Sequence, residues 1–148
     1  MSAANGAACG VSSSRSFVIR PLLSQQKQRV EYELVQARAG TRLSHLLVDC
    51  GLGIRQLDAR LARAGMLAEQ VDAIFITHEH ADHIGCARSL ALRERIPVYM
   101  SEGTYAAIGQ PDFGGLLRLA CDGCCFEVGG LQVRPFTVPH DAREPLQL

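Results

Sequence analysis

Val71-Asp72-Ala73-Ile74-Phe75-Ile76-Thr77-His78-Glu79-His80-Ala81-Asp82-His83 is the stretch that decides how this chain is read. It opens as an apolar run of strand length, followed within six positions by three imidazoles and the Asp82 carboxylate. Neutral imidazole and ionised carboxylate suit divalent zinc, iron or manganese. The pattern therefore predicts a buried strand that delivers a cluster of metal ligands. In an extended segment alternate residues point the same way, which would send His78, His80 and Asp82 to one side. His83 would reach a neighbouring position once the chain turns into a following helix. The competing reading is a polar loop that happens to be rich in histidine. The order His, His, Asp, His directly after an apolar strand weighs against it. Three of the chain's five histidines lie in this cluster.

Outward from the cluster, strands and helices alternate. On the N-terminal side, residues 31–35 and 45–49 read as strands separated by a turn at Ala39-Gly40-Thr41, the second ended by Cys50-Gly51. Ile54, Leu57, Leu61 and Ala64 fall at helical spacing, and Gly65 is placed to end that helix. On the C-terminal side, residues 84–95 read as one helix closed by Ile96-Pro97. Val98-Tyr99-Met100 is a further strand, with Ser101 capping a short helix that reaches Ala107. Residues 125–128 and 131–138 read as strands joined by a Gly129-Gly130 hairpin.

The 148 residues, 47% of them hydrophobic, suffice for one domain with a substantial core. No apolar stretch approaches the roughly 18–20 residues of a transmembrane helix. Arg15, Arg20, Lys27 and Arg29 precede the first acidic residue, Glu31, so that from there on 15 acidic side chains face 11 basic ones. That balance excludes a strongly basic nucleic-acid-binding surface. It leaves a nuclease open, because bound metal ions supply positive charge where a phosphate would sit. Residues 1–29 read as a leader with one early strand near Phe17-Val18-Ile19. An acid-free start containing Arg and Ser is shared by organellar transit peptides, but their amphipathic pattern is missing here, as is a secretory apolar region. Cys9, Cys50, Cys86, Cys121, Cys124 and Cys125 are irregularly spaced. This predicts small buried or loop thiols in a reducing, cytoplasmic setting. Cys121-Asp122-Gly123-Cys124-Cys125 holds one CxxC, whereas a structural zinc site would need a second pair or a nearby histidine.

His78-x-His80-x-Asp82-His83 resembles the HxHxDH signature of the metallo-β-lactamase-fold hydrolases, in which two metal ions share a site at the rim of an αββα sandwich. Leu46-Leu47-Val48-Asp49-Cys50-Gly51 is similar to the strand that carries the superfamily's early aspartate. Thr137-Val138-Pro139-His140-Asp141-Ala142 places His140 57 residues beyond His83, about where the superfamily supplies its third histidine. Val-Asp-Cys-Gly, Ile-Thr-His-Glu-His-Ala-Asp-His-Ile-Gly, Pro-Val-Tyr-Met-Ser-Glu-Gly-Thr and His-Asp-Ala together look like the YycJ/WalJ-like group of bacterial members, regarded as exonucleases acting on double-stranded DNA. The resemblance covers roughly residues 41–145.

By position, the resemblance implies that His78, His80 and His140 hold one metal ion, leaving a coordination position for water. Asp82 and His83 would begin a second site, and Asp82 would be the catalytic residue that orients and deprotonates the attacking water. Asp49 would orient ligands without touching the metal. The implied cofactors are two divalent ions, zinc foremost, with manganese or iron as alternatives. The implied partner is DNA or another phosphodiester, with no membrane. The implied fold is α/β (α+β): residues 30–148 as the N-terminal portion of an αββα sandwich, incomplete at the C-terminus. The superfamily's bridging aspartate and last histidine lie further downstream than Leu148, so the chain is expected to be a fragment that binds one ion better than two. Residues 6–14 only faintly echo the group's Gly-Ser-rich opening. His45 matches no motif position and is expected to be an ordinary strand residue. Two other functions stay open: hydrolysis of a thioester or lactone, and metal binding without catalysis.

Overall fold

Leu46-Leu47-Val48 and Ala73-Ile74-Phe75 are apolar at every position, the composition of strands covered on both faces. The computed structural model places both inside a six-stranded mixed sheet. It describes residues 17–20, by backbone alone, and 32–148; Cys9 and the faint resemblance at residues 6–14 lie outside the described residues. The sheet runs in chain order through β1 (Phe17–Arg20), β2 (Glu33–Ala39), β3 (Arg42–Val48), β4 (Ala73–Phe75), β5 (Val98–Ser101) and β6 (Leu117–Ala120). The first three strands pair antiparallel, with Ile19 opposite Val35 and Val35 opposite Leu46. From β3 to β6 the pairing is parallel, with Leu47 opposite Ile74, Ile74 opposite Val98 and Val98 opposite Leu117. Parallel neighbours need long crossovers. These are supplied by α1 (Ile54–Arg63), by α2 (Ala81–Ile84) with α3 (Ala87–Glu94), and by α4 (Glu102–Ala107).

Period-two alternation sorts the strand side chains between two cores. Leu47, Ile74, Ile76, Val98 and Met100 meet Leu57 and Leu61 of α1 and Ala87 and Leu90 of α3. Leu46, Ala73, Phe75 and Tyr99 belong to the other core, with the hairpin β7 (Phe126–Val128)–β8 (Leu131–Val133) and Leu146. The Phe126 ring stacks on Tyr99 with centroids 4.0 Å apart. Each large aliphatic side chain removed from water in these cores contributes about 1.5–3 kcal/mol. The result is a helical layer, a main sheet and a second strand layer, as the αββα expectation requires. β9 (Phe136–Thr137) and β10 (Leu146–Gln147) pair antiparallel and bracket the loop that carries His140. No helix among the described residues is long and apolar enough to cross a membrane.

The early strand, the helix from Ile54, Gly65 beyond its end in the left-handed region (φ +74°) and the Ser101 cap all appear where expected. Other expectations are corrected. The single helix over residues 84–95 is two helices, because the chain breaks at Gly85. The strand over residues 131–138 divides around Arg134-Pro135, where proline lacks the N–H a ladder needs. β6 and β10 were not expected; the first is an edge strand with Arg118 and Leu119 exposed, and the second is two residues long, so neither carries a strong alternating signal. The cysteine expectation fails for one pair, since Cys121 and Cys124 form a disulfide. The Cys124 N–H donates to the Cys121 carbonyl at 3.1 Å, and that turn brings the two Cα atoms to 5.3 Å, within bridging range. Cys50 and Cys86 are buried thiols, and Cys125 is exposed.

Candidate metal centre

Open sheets with parallel strands place ligands beyond the carboxyl ends of those strands. Asp49 follows β3, residues 77–80 follow β4, and Ser101 ends β5, so all three segments emerge at that edge. His80 is still extended (φ −60°, ψ 144°) and caps α2, which begins at Ala81. Strand alternation therefore accounts for His78 and His80 but not for Asp82, which the first turn of α2 positions together with His83. Gly85 allows this short helix to press against the loop after β3. A Cβ there would lie 2.0 Å from the Cys50 carbonyl oxygen, and its φ of +32° is strained for any other residue. The contact is sealed by the Cys50 N–H to the His83 carbonyl at 2.7 Å and by the Cys86 N–H to the Cys50 carbonyl at 3.1 Å.

His78, His80 and His140 come together. One ligand atom from each lies within 4.8 Å of the others. The ring centroid of His78 is 4.6 Å from that of His80 and 4.3 Å from that of His140. Small ring rotations would let all three reach one divalent ion. Asp82 lies outside this trio. Its Oδ2 is 3.8 Å from His83 Nε2, and the His83 ring centroid is 3.9 Å from that of His78. The five expected ligands thus form a trio and an adjoining pair.

Asp49 governs the protonation of two of these rings. It is buried with φ +62°, a conformation that Asp tolerates better than most residues. Its Oδ1 accepts the Thr77 N–H at 2.8 Å, while Oδ2 accepts the Thr77 hydroxyl at 2.8 Å and lies 2.8 Å from His83 Nδ1. A carboxylate only accepts, so the His83 ring donates to Asp49 through Nδ1. The Thr77 hydroxyl already donates to Asp49, so at 2.9 Å it must accept from His78 Nδ1. A neutral His78 ring is then bare at Nε2. That atom is fully buried and has no hydrogen-bond partner, an arrangement that costs about 1–3 kcal/mol unless something takes the lone pair. Burial, followed by the His83, His140 and His80 charges, holds the His78 pKa below its ordinary value, with Asp49 opposing. Neutral imidazole is the form that binds metal.

His140 Nδ1 meets the Ala142 N–H at 3.2 Å and lies 2.7 Å from Asp141 Oδ1. The two contacts make opposite demands on that nitrogen. His45 stays in β3, with its Nε2 2.8 Å from Gln36 Nε2 and its N–H on Asp72 Oδ2 at 2.7 Å, an ordinary strand residue as expected. Sequence reasoning gave no role to Thr77 or Gly85. The available signals were a hydroxyl beside the first histidine and a glycine just after the last one of the cluster.

The profile of the metallo-β-lactamase superfamily matches residues 40–140. The chain belongs to that superfamily. Its members bind divalent metals, and the histidine trio fits that chemistry. The chain is 37% identical over 112 residues to the exodeoxyribonuclease YycJ of Bacillus anthracis, covering 72% of this chain and 42% of that protein. It is 33% identical over 111 residues to the exodeoxyribonuclease WalJ of Streptococcus pneumoniae, covering 71% and 41%. Among solved structures, the Rm3 metallo-β-lactamase superposes with a TM-score of 0.62 at 24% identity, over 77% of this chain and 48% of that one, a likeness of fold. The resemblance to the YycJ/WalJ-like group is thus borne out, and the chain spans less than half the length of each of these proteins.

Proposed function

We propose that this chain carries the metal centre of a phosphodiester hydrolase that degrades DNA from its ends. The observation that carries the reading is the convergence of His78, His80 and His140 within 4.8 Å, with His78 Nε2 buried and bare. The likeness to proteins named exodeoxyribonuclease supports DNA as the substrate, and in this reading the reaction is cytoplasmic. In this reading the trio holds one divalent ion, zinc foremost, and Asp82 with His83 begins the site of a second. Divalent ions bound there would supply Lewis acidity and lower the pKa of water toward about 7. Asp82, half-buried beside His83, orients the attacking water toward phosphorus and takes its proton. Asp49, directly and through Thr77, holds the Nδ1 protons of His83 and His78.

The test pairs calorimetric zinc and manganese titrations of the wild type and the His78→Ala, His80→Ala and His140→Ala variants with hydrolysis of end-labelled linear duplex DNA and of a thioester. Each substitution is expected to weaken binding of the first ion sharply, and any turnover is expected on DNA. Wild-type metal affinity in all three variants would remove the metal-centre reading. Turnover of the thioester without DNA would replace the phosphodiester reading.

A further inference from the structure

The β4–α2 segment carries two members of the trio, whereas His140 arrives on the loop between β9 and β10. The trio therefore exists only if that loop docks at the end of the parallel strands. We propose that Glu144, packed against Gly103, is the positioning residue that docks this loop and so sets the third nitrogen. The inference rests on the reading of His140 as a metal ligand.

Glu144 makes contact through both its side chain and its backbone. Its Oε2 accepts the Gly103 N–H at 2.6 Å, and its carbonyl accepts the Ser101 hydroxyl at 2.7 Å. Ser101 is buried, and its Oγ in turn accepts the Thr104 N–H at 3.0 Å. The fit is steric as well as polar. A Cβ on residue 103 would meet Glu144 Cβ at 2.4 Å and its Oε2 at 2.9 Å, so only glycine leaves room for the loop to lie this close. Ser101-Glu102-Gly103-Thr104 supplies no member of the metal cluster, and nothing in the proposed chemistry otherwise uses it.

The neighbouring ties point the same way. The Arg143 N–H donates to Glu79 Oε1 at 2.8 Å, and the Leu146 N–H donates to the Thr77 carbonyl at 2.9 Å. The loop is thus also fastened to the β4–α2 segment three to six residues after His140. His140 itself is exposed, and it meets the neighbouring residues Asp141 and Ala142 and the other cluster rings. Glu144 is the ionic side chain of the loop that reaches across to the β5–α4 corner, so its removal should free His140 while leaving the two cores intact.

Cobalt(II) tests this, because its visible bands report coordination while calorimetry reports affinity. The proteins compared are the wild type, His140→Ala, Glu144→Ala, Glu144→Gln and Gly103→Ala, each also melted metal-free. Glu144→Ala is expected to weaken cobalt binding about 10–100-fold and to shift the bands toward those of His140→Ala. Its metal-free melting should stay near wild type. Glu144→Gln keeps an oxygen for the Gly103 N–H and should recover most of the affinity, whereas Gly103→Ala should resemble Glu144→Ala. Wild-type affinity and bands in Glu144→Ala would overturn the proposal, and so would a loss no larger than its fall in folded fraction. If His140→Ala itself binds cobalt as wild type, the reading of His140 as a ligand fails, and the positioning role falls with it.

Discussion

Asp49→Asn is the most incisive perturbation of this site. Asparagine has nearly the same shape and tolerates the left-handed φ of +62°, so the backbone need not move. It replaces one acceptor oxygen by a donor NH2. With the remaining oxygen kept on the Thr77 N–H, the new NH2 faces the Thr77 hydroxyl and His83 Nδ1, the two groups that donate to Oδ2 in the wild type. The hydroxyl can reverse, but it then turns its proton toward His78 Nδ1, 2.9 Å away. Both imidazoles must shift their protons to Nε2, the atoms the proposed metal sites need bare. The mismatch of buried donors should destabilise the metal-free protein by about 1–3 kcal/mol, with the melting temperature falling by roughly 2–4 °C per kcal/mol. Metal affinity should drop about 10–100-fold. Long-range proton–nitrogen NMR of the histidine rings reads the tautomers directly, with His78 and His83 assigned from single variants. Rings that remain protonated at Nδ1 in Asp49→Asn would refute the reasoning.

Three further outcomes follow from individual contacts. Thr77→Val keeps the shape but leaves the His78 Nδ1–H without its acceptor, so the urea midpoint should fall by the equivalent of about 1–3 kcal/mol, together with metal affinity; no change in either would contradict the relay. Gly85→Ala forces a methyl group to within 2.0 Å of the Cys50 carbonyl and should cost about 1–3 kcal/mol or more. Chemical denaturation with a wild-type midpoint would show that the two loops are not pressed together. Asp58 of α1 binds Arg93 of α3 through two bonds of 2.8 and 2.7 Å, and the Arg93 guanidinium, by hydrogen bonding, lowers the Asp58 pKa. A depressed carboxylate pKa stabilises the fold above the unfolded value of about 3.9 and loses that contribution as pH falls through the folded value. Both groups are well exposed, so Asp58→Asn should cost under about 1 kcal/mol at pH 7, with the difference from wild type closing below the unfolded value. A difference that persists undiminished in strong acid would assign the loss to packing instead.

The sequence by itself determined what is local. An apolar strand followed by His78, His80, Asp82 and His83 names the superfamily, because an extended residue pair and one helical turn are enough to present those ligands near each other. The amphipathic spacing of Leu57 and Leu61 and the Ser101 cap were legible for the same reason. Tertiary structure decided the rest. Asp49 and Thr77 are 28 residues apart, and Gly103 and Glu144 are 41 apart. Their contacts arise from strand register and loop docking, which no local periodicity encodes. The helix break at Gly85 likewise answers to the Cys50 carbonyl, a neighbour in space rather than in sequence. The residue types of the metal cluster were therefore written in one short stretch and one distant histidine. Which nitrogen is bare, and what holds the third ring in place, came only from the way the folded strands bring distant donors and acceptors into contact.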